Sequence, residues 1–261
     1  MKLADLVLTE SRGDVALIRL NDEATVNALS PEMADALGAE LNAAAGGHRA
    51  IVLTGAGRGF CSGANLAVGR DSTRPAGEAE RILRERYNPI MLAIRDLAVP
   101  IVTAINGAAA GMGASIALAG DLIIAAENAY FLQAFRHIGL VPDGGSAYLL
   151  TRAAGRARAM EMMLLGERVA AAKALEWGMI NRVVAPSVLI ETALAVASDL
   201  AAGPTQALGM IRTMCWGALD RDFETQLAEE CDLQRAAFKT ADFREGVRAF
   251  REKRPAVFTG R

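Results

Sequence analysis

The sequence is poor in the side chains that build metal centres and disulfide frameworks. It has three cysteines and two histidines in 261 residues. Cys61, Cys215 and Cys231 are odd in number, widely spaced and form no CxxC pair, which argues against a disulfide framework or a zinc site. His48 and His137 are too few for a histidine-based metal site. We therefore expect no metal, and a reducing compartment.

A charge excess of one sign is also lacking. The 28 basic residues nearly balance the 30 acidic ones, and the sequence pI is about 5.8. This balance favours neither nucleic acid nor an anionic membrane surface as a partner. The N-terminus, MKLADLVLTESRGD, has an acid at position 5 and no long apolar run, so it is not typical of a signal peptide. We expect a cytoplasmic protein.

Continuous membrane-spanning runs are absent, with one stretch to weigh. Residues 97–120 carry no charge, and that length is enough to cross a bilayer. Pro100, Asn106 and four glycines interrupt the stretch, however, and break a continuous helix. The pattern predicts a buried strand, a tight loop and a buried helix.

Short apolar runs and amphipathic segments alternate in the first part of the chain. VALIRL (15–20), IVLT (51–54), PIVTAI (100–105) and LIIAA (122–126) are typical of buried strands. Ser30 and Pro31 are start signals of a helix that ends near the glycine pair 46–47. A second helix is predicted over residues 78–95. The alternation indicates an α/β layered architecture with crossover connections.

The pattern becomes helical from about residue 155. The segments ARAMEMMLL, AAKALEW, SVLIETALAVASDLAA and DFETQLAEECDLQRAAF are separated by glycine and proline signals. We divide the chain into a core, residues 1–200, and a C-terminal helical region, residues 201–261. Helical tails on such cores often pack against a neighbouring subunit, so the second region is predicted to serve oligomerisation.

Two glycine-rich segments follow predicted strands. GAGRGFCSG (55–63) contains no GxGxxG, and the chain has no GKS or GKT, which leaves a plain turn or a place where backbone N–H groups approach a ligand. Gly111-Met112-Gly113 lies where a loop should become a helix, whose first N–H groups are free. Small residues there also suit simple helix–sheet packing. Together the two turns could aim two N–H groups at one oxygen.

One carboxylate lies in an apolar setting. Asp143, in PDGG, has IGLVP before it and AYLL after it. The segment reads as a turn, but its acid could have a raised pKa and exchange protons with a substrate. Ser115 has no nearby histidine and no GxSxG pattern, so it does not form a hydrolase triad. Cys61 lacks a recognisable base and is expected to be buried.

Taken together, these segments resemble the crotonase superfamily, the enoyl-CoA hydratase/isomerase family. The resemblance covers essentially the whole chain and is carried, in the family's order and spacing, by LNDEATVNALS (20–30), GAGRGFCSGANL (55–66), PIVTAINGAAAGMGASIALAGD (100–121), HIGLVPDGGSAYLL (137–150) and EWGMINRVV (176–184). RERYNP, FRHIGLVPDGG, AGRARAM and the C-terminal run look most like the family's ring-1,2-epoxyphenylacetyl-CoA isomerases of phenylacetate breakdown. The resemblance implies an α/β fold, a spiral of ββα units followed by trimerisation helices, with trimers often stacking as hexamers.

The resemblance also implies the substrate and the residues that hold it. Family members bind acyl-CoA esters and stabilise a thioester enolate with two backbone N–H groups, which correspond here to Ala64 and Met112. CoA is part of the substrate, so no separate cofactor is expected. The implied substrate- and CoA-binding positions are Ala24, Val26, Ser62, Gly63, Asn65, Leu66, Gly111, Ser115 and Phe135. Asn65 replaces the family's usual aspartate, and Ala67 stands where hydratases often carry lysine.

Three functions stay open at this level. The two catalytic glutamates of the family's hydratases correspond to Ser115 and Phe135, which cannot transfer a proton at neutral pH. Asp143 matches the single acid of several isomerases. The sequence therefore favours an acyl-CoA isomerase acting on 1,2-epoxyphenylacetyl-CoA or a 3-enoyl-CoA. The alternatives are an enoyl-CoA hydratase with atypical catalytic residues and a non-catalytic acyl-CoA-binding subunit.

Overall fold

Two β-sheets organise the chain. A computed structural model describes residues 6–65 and 76–261; the predicted binding residue Leu66 lies outside the described residues. The strands are β1 Val7–Arg12, β2 Val15–Leu20, β3 Ala50–Gly55, β4 Gly59–Cys61, β5 Ile101–Ile105, β6 Ala108–Ala110, β7 Leu122–Ala126, β8 Tyr130–Leu132, β9 Arg168–Ala170 and β10 Arg182–Val184. The helices are α1 Pro31–Gly47, α2 Ala76–Ile82, α3 Asn88–Asp96, α4 Met112–Leu118, α5 Ser146–Ala153, α6 Arg156–Leu165, α7 Ala171–Glu176, α8 Leu189–Ala202, α9 Thr205–Ala218, α10 Phe223–Ala237 and α11 Ala241–Glu252.

From β3 to β8, successive strands belong alternately to the two sheets. The larger sheet has the order β1-β2-β3-β5-β7-β10 and the smaller one β4-β6-β8-β9. The pairs β3/β4, β5/β6 and β7/β8 each place their first strand in the larger sheet and their second in the smaller one. Within each sheet these strands run parallel. This repeat confirms the predicted α/β spiral of ββα units.

The core lies around β3 and β5, every residue of which is buried. Helix α8 crosses β2, β3, β5 and β7. Helix α1 starts as predicted: the Ser30 side chain accepts a hydrogen bond from Met33 N, and Pro31 is its first residue. It ends at Gly47, in the predicted glycine pair, with His48 as its C-cap.

The helix predicted over residues 78–95 is interrupted. Helices α2 and α3 are joined by one π-helical turn, Leu83–Tyr87. Pro89 lies in the first turn of α3 and has no N–H to donate to the preceding turn, which accounts for the local change in hydrogen bonding. The buried residues Tyr87, Ile90 and Ile94 keep the apolar face predicted for this helix.

The charge-free stretch 97–120 forms the predicted buried strand, β5, and the predicted buried helix, α4. Between them lies the short strand β6, where only a loop was predicted. Among the described residues, no single helix is long and apolar enough to cross a membrane; one pair, Pro186–Ala202 with Thr205–Ala218, meets the length and composition together but is bent by 109°.

Helices α9, α10 and α11 follow the sheet-covering helix α8. A buried ion pair fastens α9 to the core: the Arg212 guanidinium contacts the Asp121 carboxylate and also donates to the main-chain oxygen of Ile94 at 2.8 Å. The division of the chain after residue 200 stays a prediction, and α8, which crosses that point, ends at Ala202.

Candidate active site

The two glycine-rich turns meet at the carboxyl ends of β4 and β6. These strands are parallel neighbours, so the turns that follow them lie at the same sheet edge. Gly63 and Gly111 both have positive φ, +100° and +50°. A Cβ atom built on Gly63 would lie 2.9 Å from the Ala110 oxygen, and one built on Gly111 would lie 4.0 Å from Gly63 Cα. Backbone therefore contacts backbone here, which only glycine permits.

The next residue in each turn presents its main-chain N–H. Leu29 pairs with the residues on either side of Ala64, donating to Gly63 O at 2.7 Å and accepting from Asn65 N at 2.9 Å. In a parallel bridge of this kind the N–H of Ala64 itself points away from Leu29. Met112 is the first residue of α4, where helical N–H groups have no partner within the helix. In the described part of the chain, neither N–H has a backbone acceptor.

The Met112 side chain is fully buried. Its Sδ lies beneath Gly144: a Cβ built on Gly144 would be 2.1 Å from that sulfur. The Asp143 loop therefore lies directly on the first turn of α4. The assignment of Ala64 and Met112 as an oxyanion hole stays a prediction, and the loops carrying both residues are brought together.

Asp143 is half-buried, and its Oδ1 is buried with no hydrogen-bond partner among the described residues. Burial raises the pKa of this carboxyl to about 6 because its charged form loses hydration. A carboxyl with that pKa can both take and return a proton near neutral pH. The catalytic role of Asp143 stays a prediction.

The two positions where hydratases carry glutamates border the same loops. Ser115 is fully buried, and its Oγ lies 2.7 Å from Ser146 Oγ and 3.3 Å from the main-chain oxygen of Asp143. The Phe135 ring would lie 3.4 Å from a Cβ built on Gly111. Both residues line the base of the donor loops, and their contribution to substrate binding stays a prediction.

The predicted CoA-binding residues on either side of β4 lie together. Ser62 N donates to Val26 O at 3.0 Å, and Ser62 Oγ donates to the Thr25 oxygen at 2.8 Å. Ala24 and Ser62 are exposed, while Val26 and Asn65 are half-buried. Segments 23–29 and 62–65 therefore form one rim beside the Ala64 donor, as the resemblance implies, and their binding role stays a prediction.

Two buried amides at the site escaped the sequence analysis. Asn27 is left-handed, with φ +56°, and its Nδ2 donates to the oxygens of Ala56 and Gly59 at 2.9 and 2.8 Å, which holds the first glycine turn. Gln133 follows β8 and is fully buried with both amide atoms unpaired in the described part of the chain. A lone amide in an apolar run was the available signal for Gln133.

A cavity of about 590 Å³ opens next to Asp143, between α3, α5 and α9. Its lining includes Met91, Leu92, Gly144, Gly145, Tyr148, Leu149 and Trp216. The rings of Tyr148 and Trp216 are stacked with centroids 6.5 Å apart.

Across residues 6–65 and 76–261, no group of three or more His, Cys, Asp or Glu side chains is arranged to hold a metal ion.

A family model described as enoyl-CoA hydratase/isomerase matches residues 10–261. The chain belongs to the enoyl-CoA hydratase/isomerase family. Solved structures of this family share its fold: the enoyl-CoA hydratase subunit I of Geobacillus kaustophilus superposes with a TM-score of 0.92 at 31% identity, covering 98% of each chain. This crotonase fold places the activity within enoyl-CoA hydratase/isomerase chemistry on CoA thioesters.

Some relatives in the enoyl-CoA hydratase/isomerase family are named as isomerases and others as hydratases. The chain is 42% identical to the 1,2-epoxyphenylacetyl-CoA isomerase of Escherichia coli K12, over 99% of this chain and 100% of that protein. It is 45% identical to a Rhodobacter capsulatus protein named "Probable enoyl-CoA hydratase", over 95% of each chain.

Proposed function

We propose that this family member is an acyl-CoA isomerase in which Asp143 moves the proton. The observation that carries the proposal is the Asp143 carboxyl: its Oδ1 is buried and unpaired among the described residues, and its pKa is raised to about 6. Ser115 and Phe135, at the positions of the hydratase glutamates, cannot exchange a proton at neutral pH. Asp143 thus remains as the proposed acid, and the proposed donors are the N–H groups of Ala64 and Met112, which have no backbone acceptor among the described residues.

Isomerisation needs only one carboxylate that moves a proton and two main-chain N–H donors. The Asp143 carboxylate removes a proton from the carbon next to the thioester carbonyl, and the negative charge moves to the carbonyl oxygen. The N–H groups of Ala64 and Met112 stabilise that oxygen, and the end of α4 adds its positive dipole. The same carboxyl, now protonated, returns the proton to a carbon farther along the conjugated system. No proton is gained or lost overall.

For the acyl group we propose 1,2-epoxyphenylacetyl-CoA or a 3-enoyl-CoA. In 1,2-epoxyphenylacetyl-CoA the CH₂ group between the thioester and the epoxide-bearing ring is acidic. Removal of its proton by Asp143 would give the enolate held by the same two donors, and return of that proton to a ring carbon would complete the isomerisation without another reagent. The 42% sequence identity with the Escherichia coli 1,2-epoxyphenylacetyl-CoA isomerase, over 99% of this chain, supports this choice. The cavity beside Gly144, with its Tyr148 and Trp216 rings, supports an aromatic acyl group.

The hydratase alternative is favoured by the name of the Rhodobacter capsulatus relative. Hydration would require a base other than the two glutamates, and we rank it second for that reason. Assembly as a homotrimer or hexamer and a cytoplasmic location stay predictions. Large apolar side chains exposed in the C-terminal region, such as Phe223 and Phe250 at 73% and 85%, support the former.

The test is a turnover screen with Asp143→Asn. Wild type and variant are assayed on 1,2-epoxyphenylacetyl-CoA, a 3-enoyl-CoA and crotonyl-CoA, with product masses and solvent proton exchange recorded. We expect the variant to lose about 10²- to 10⁴-fold in isomerase kcat, the usual contribution of a general acid–base group. The matched control is Asp232→Asn, an exposed carboxylate on α10.

Three outcomes would contradict the proposal. Isomerisation by Asp143→Asn at the wild-type rate would remove the proton-transfer role. Loss of the enoyl-thioester ultraviolet band with crotonyl-CoA, without isomerase turnover, would establish the hydratase. Tight binding of CoA esters with no turnover in the whole panel would indicate the non-catalytic subunit.

A further inference from the structure

Two buried serines lie beneath the loop that carries Asp143. Ser115 on α4 and Ser146 at the start of α5 are 0% and 1% exposed. Their Oγ atoms are 2.7 Å apart. Buried hydroxyls cost free energy unless they are hydrogen-bonded. These two form a chain in which Ser115 Oγ donates to Ser146 Oγ, and Ser146 Oγ donates to the main-chain oxygen of Asp143.

That oxygen accepts two hydrogen bonds from Ser146, one from its Oγ at 2.8 Å and one from its N at 3.0 Å. Ser115 Oγ lies 3.3 Å from the same oxygen and holds the Ser146 hydroxyl in place at 2.7 Å. The next two residues, Gly144 and Gly145, are left-handed, with φ +58° and +78°, and have no side chains with which to anchor the turn. The serine pair is therefore the side-chain anchor of this loop among the described contacts.

The Asp143 carboxyl itself has no such support. Its Oδ1 is buried without a partner in the described part of the chain, so no hydrogen bond fixes that atom's position. The position of the carboxyl therefore depends on the main chain of Asp143. Hydrogen bonds to the main-chain oxygen of Asp143 hold that main chain in place. A loop that shifts by about 1 Å can cost about 10²-fold in rate when it carries a reacting group.

Ser115 also links this loop to the Met112 donor. It lies three residues after Met112, on the next turn of α4. A Cβ built on Gly144 would lie 2.1 Å from Met112 Sδ and 3.2 Å from Ser115 Oγ, so the loop rests on both side chains. The first turn of α4 thus determines the distance between the Met112 N–H and the Asp143 carboxyl.

We propose that Ser115 and Ser146 are positioning residues, which hold the Asp143 carboxylate at a fixed place relative to the Met112 N–H. The inference rests on the proposed function of Asp143. It assigns the pair no contact with substrate: both hydroxyls act through the main-chain oxygen of Asp143.

The experiment compares Ser115→Ala, Ser146→Ala and the double variant with wild type. We expect kcat to fall about 10- to 100-fold, because the base is misplaced, while KM for the acyl-CoA changes less than about threefold. The double variant should lose little more than the worse single variant, because both hydroxyls serve one acceptor. The acidic limb of the pH profile should move to lower pH, because a loosened loop admits water to the carboxyl.

The matched control is Thr54→Val. Thr54 is equally buried and its hydroxyl donates to a main-chain oxygen, that of Ala104, at 2.7 Å, on β3 and outside the Asp143 loop. This variant should lose thermal stability and keep the wild-type kcat and pH profile. If the serine variants behave in the same way, the pair only stabilises the fold and the proposal is wrong.

A direct measurement separates this proposal from the proposed function. The Asp143 carboxyl is titrated by ¹³C NMR in aspartate-labelled protein and assigned by its absence in Asp143→Asn. A lower pKa in the serine variants supports the positioning role even if Asp143→Asn remains active, which would reject only the proposed function. An unchanged pKa overturns the proposal. If an alanine variant does not fold, Ser146→Cys, close in volume but a weak donor, should shift the pKa in the same direction.

Discussion

The two halves of the candidate site are built differently. The donor half consists of main-chain N–H groups at the ends of β4 and β6, held by backbone contacts between Gly63, Ala110 and Gly111. The proton-transfer half depends on one side chain, Asp143, on a loop anchored by Ser115 and Ser146. The two donor positions of the first half, Ala64 and Met112, tolerate changes of side chain, because every residue except proline has an N–H. The second half depends on the side chain itself, because only aspartate and glutamate carry a carboxylate.

This contrast bears on the reaction that we propose. The Met112 N–H lies at the start of α4, and the Met112 side chain is turned beneath Gly144. Ser115 and Phe135, by contrast, provide no acid at the positions that the family resemblance assigns to the hydratase glutamates. Under the proposed function, enolate stabilisation therefore depends on the backbone, while the choice of reaction depends on a few side chains.

After the loss of the Asp143 carboxylate itself, the largest expected effect comes from disturbing the backbone half with a single methyl group. Gly63→Ala places a Cβ 2.9 Å from the Ala110 oxygen at φ +100°, so the turn must shift and carry the Ala64 N–H away. We expect kcat to fall about 10²- to 10³-fold, the usual cost of losing one oxyanion donor. Gly38→Ala, where nothing lies within 4 Å, is the control and should keep full activity. A wild-type kcat in Gly63→Ala would exclude the Ala64 N–H as a donor.

The pH dependence of kcat/KM tests the side-chain half of the site. The reaction needs the Asp143 carboxylate, whose pKa is raised to about 6 by burial. We expect kcat/KM to fall about tenfold per pH unit below that value and to be level above it. Initial rates between pH 4.5 and 8 measure this limb. The residual activity of Asp143→Asn should show no such limb; a limb that persists there belongs to another group.

The smallest expected effect is on stability. The folded pKa of Asp143, about 6, exceeds its ordinary value of 3.8, so the folded state binds the proton more tightly than the unfolded state. Stability is therefore lost as pH rises from about 4 to about 6, and the loss persists above. Because the group is only half-buried, we expect Asp143→Asn to be about 1–2 kcal/mol more stable than wild type at pH 7. Urea unfolding at pH 4 and pH 7 checks this, since no difference should remain at pH 4.

Four strands of the larger sheet, β2, β3, β5 and β7, were predictable because each has five or six residues that are almost all buried. The mostly exposed β1 and the three-residue β10 were not predicted. VALIRL and LIIAA form β2 and β7 within the predicted bounds, and Ser30 caps α1 as its residue type suggests. The three-residue strands of the smaller sheet were not predicted. β4 and β6 consist of glycine, alanine, phenylalanine and cysteine, with no alternation of apolar and polar residues, and they are strands only because neighbouring strands pair with them.

The residues of the site divide in the same way. Asp143 was predictable because a lone acid among apolar residues signals a shifted pKa. Ser146 and Asn27 were not, because their importance lies in contacts with residues far along the chain. Asn27, for example, bonds to Gly59 across 32 positions.

By itself, the sequence determined the strand and helix alternation, the glycine turns and the chemical identity of the one acid. These depend on local preferences and on residue type, which are written along the chain. Only the tertiary structure decided that the turns after β4 and β6 meet, that the Asp143 loop rests on Met112 and that two buried serines hold it. Those facts depend on sheet pairing and close packing between distant segments, which no local pattern encodes.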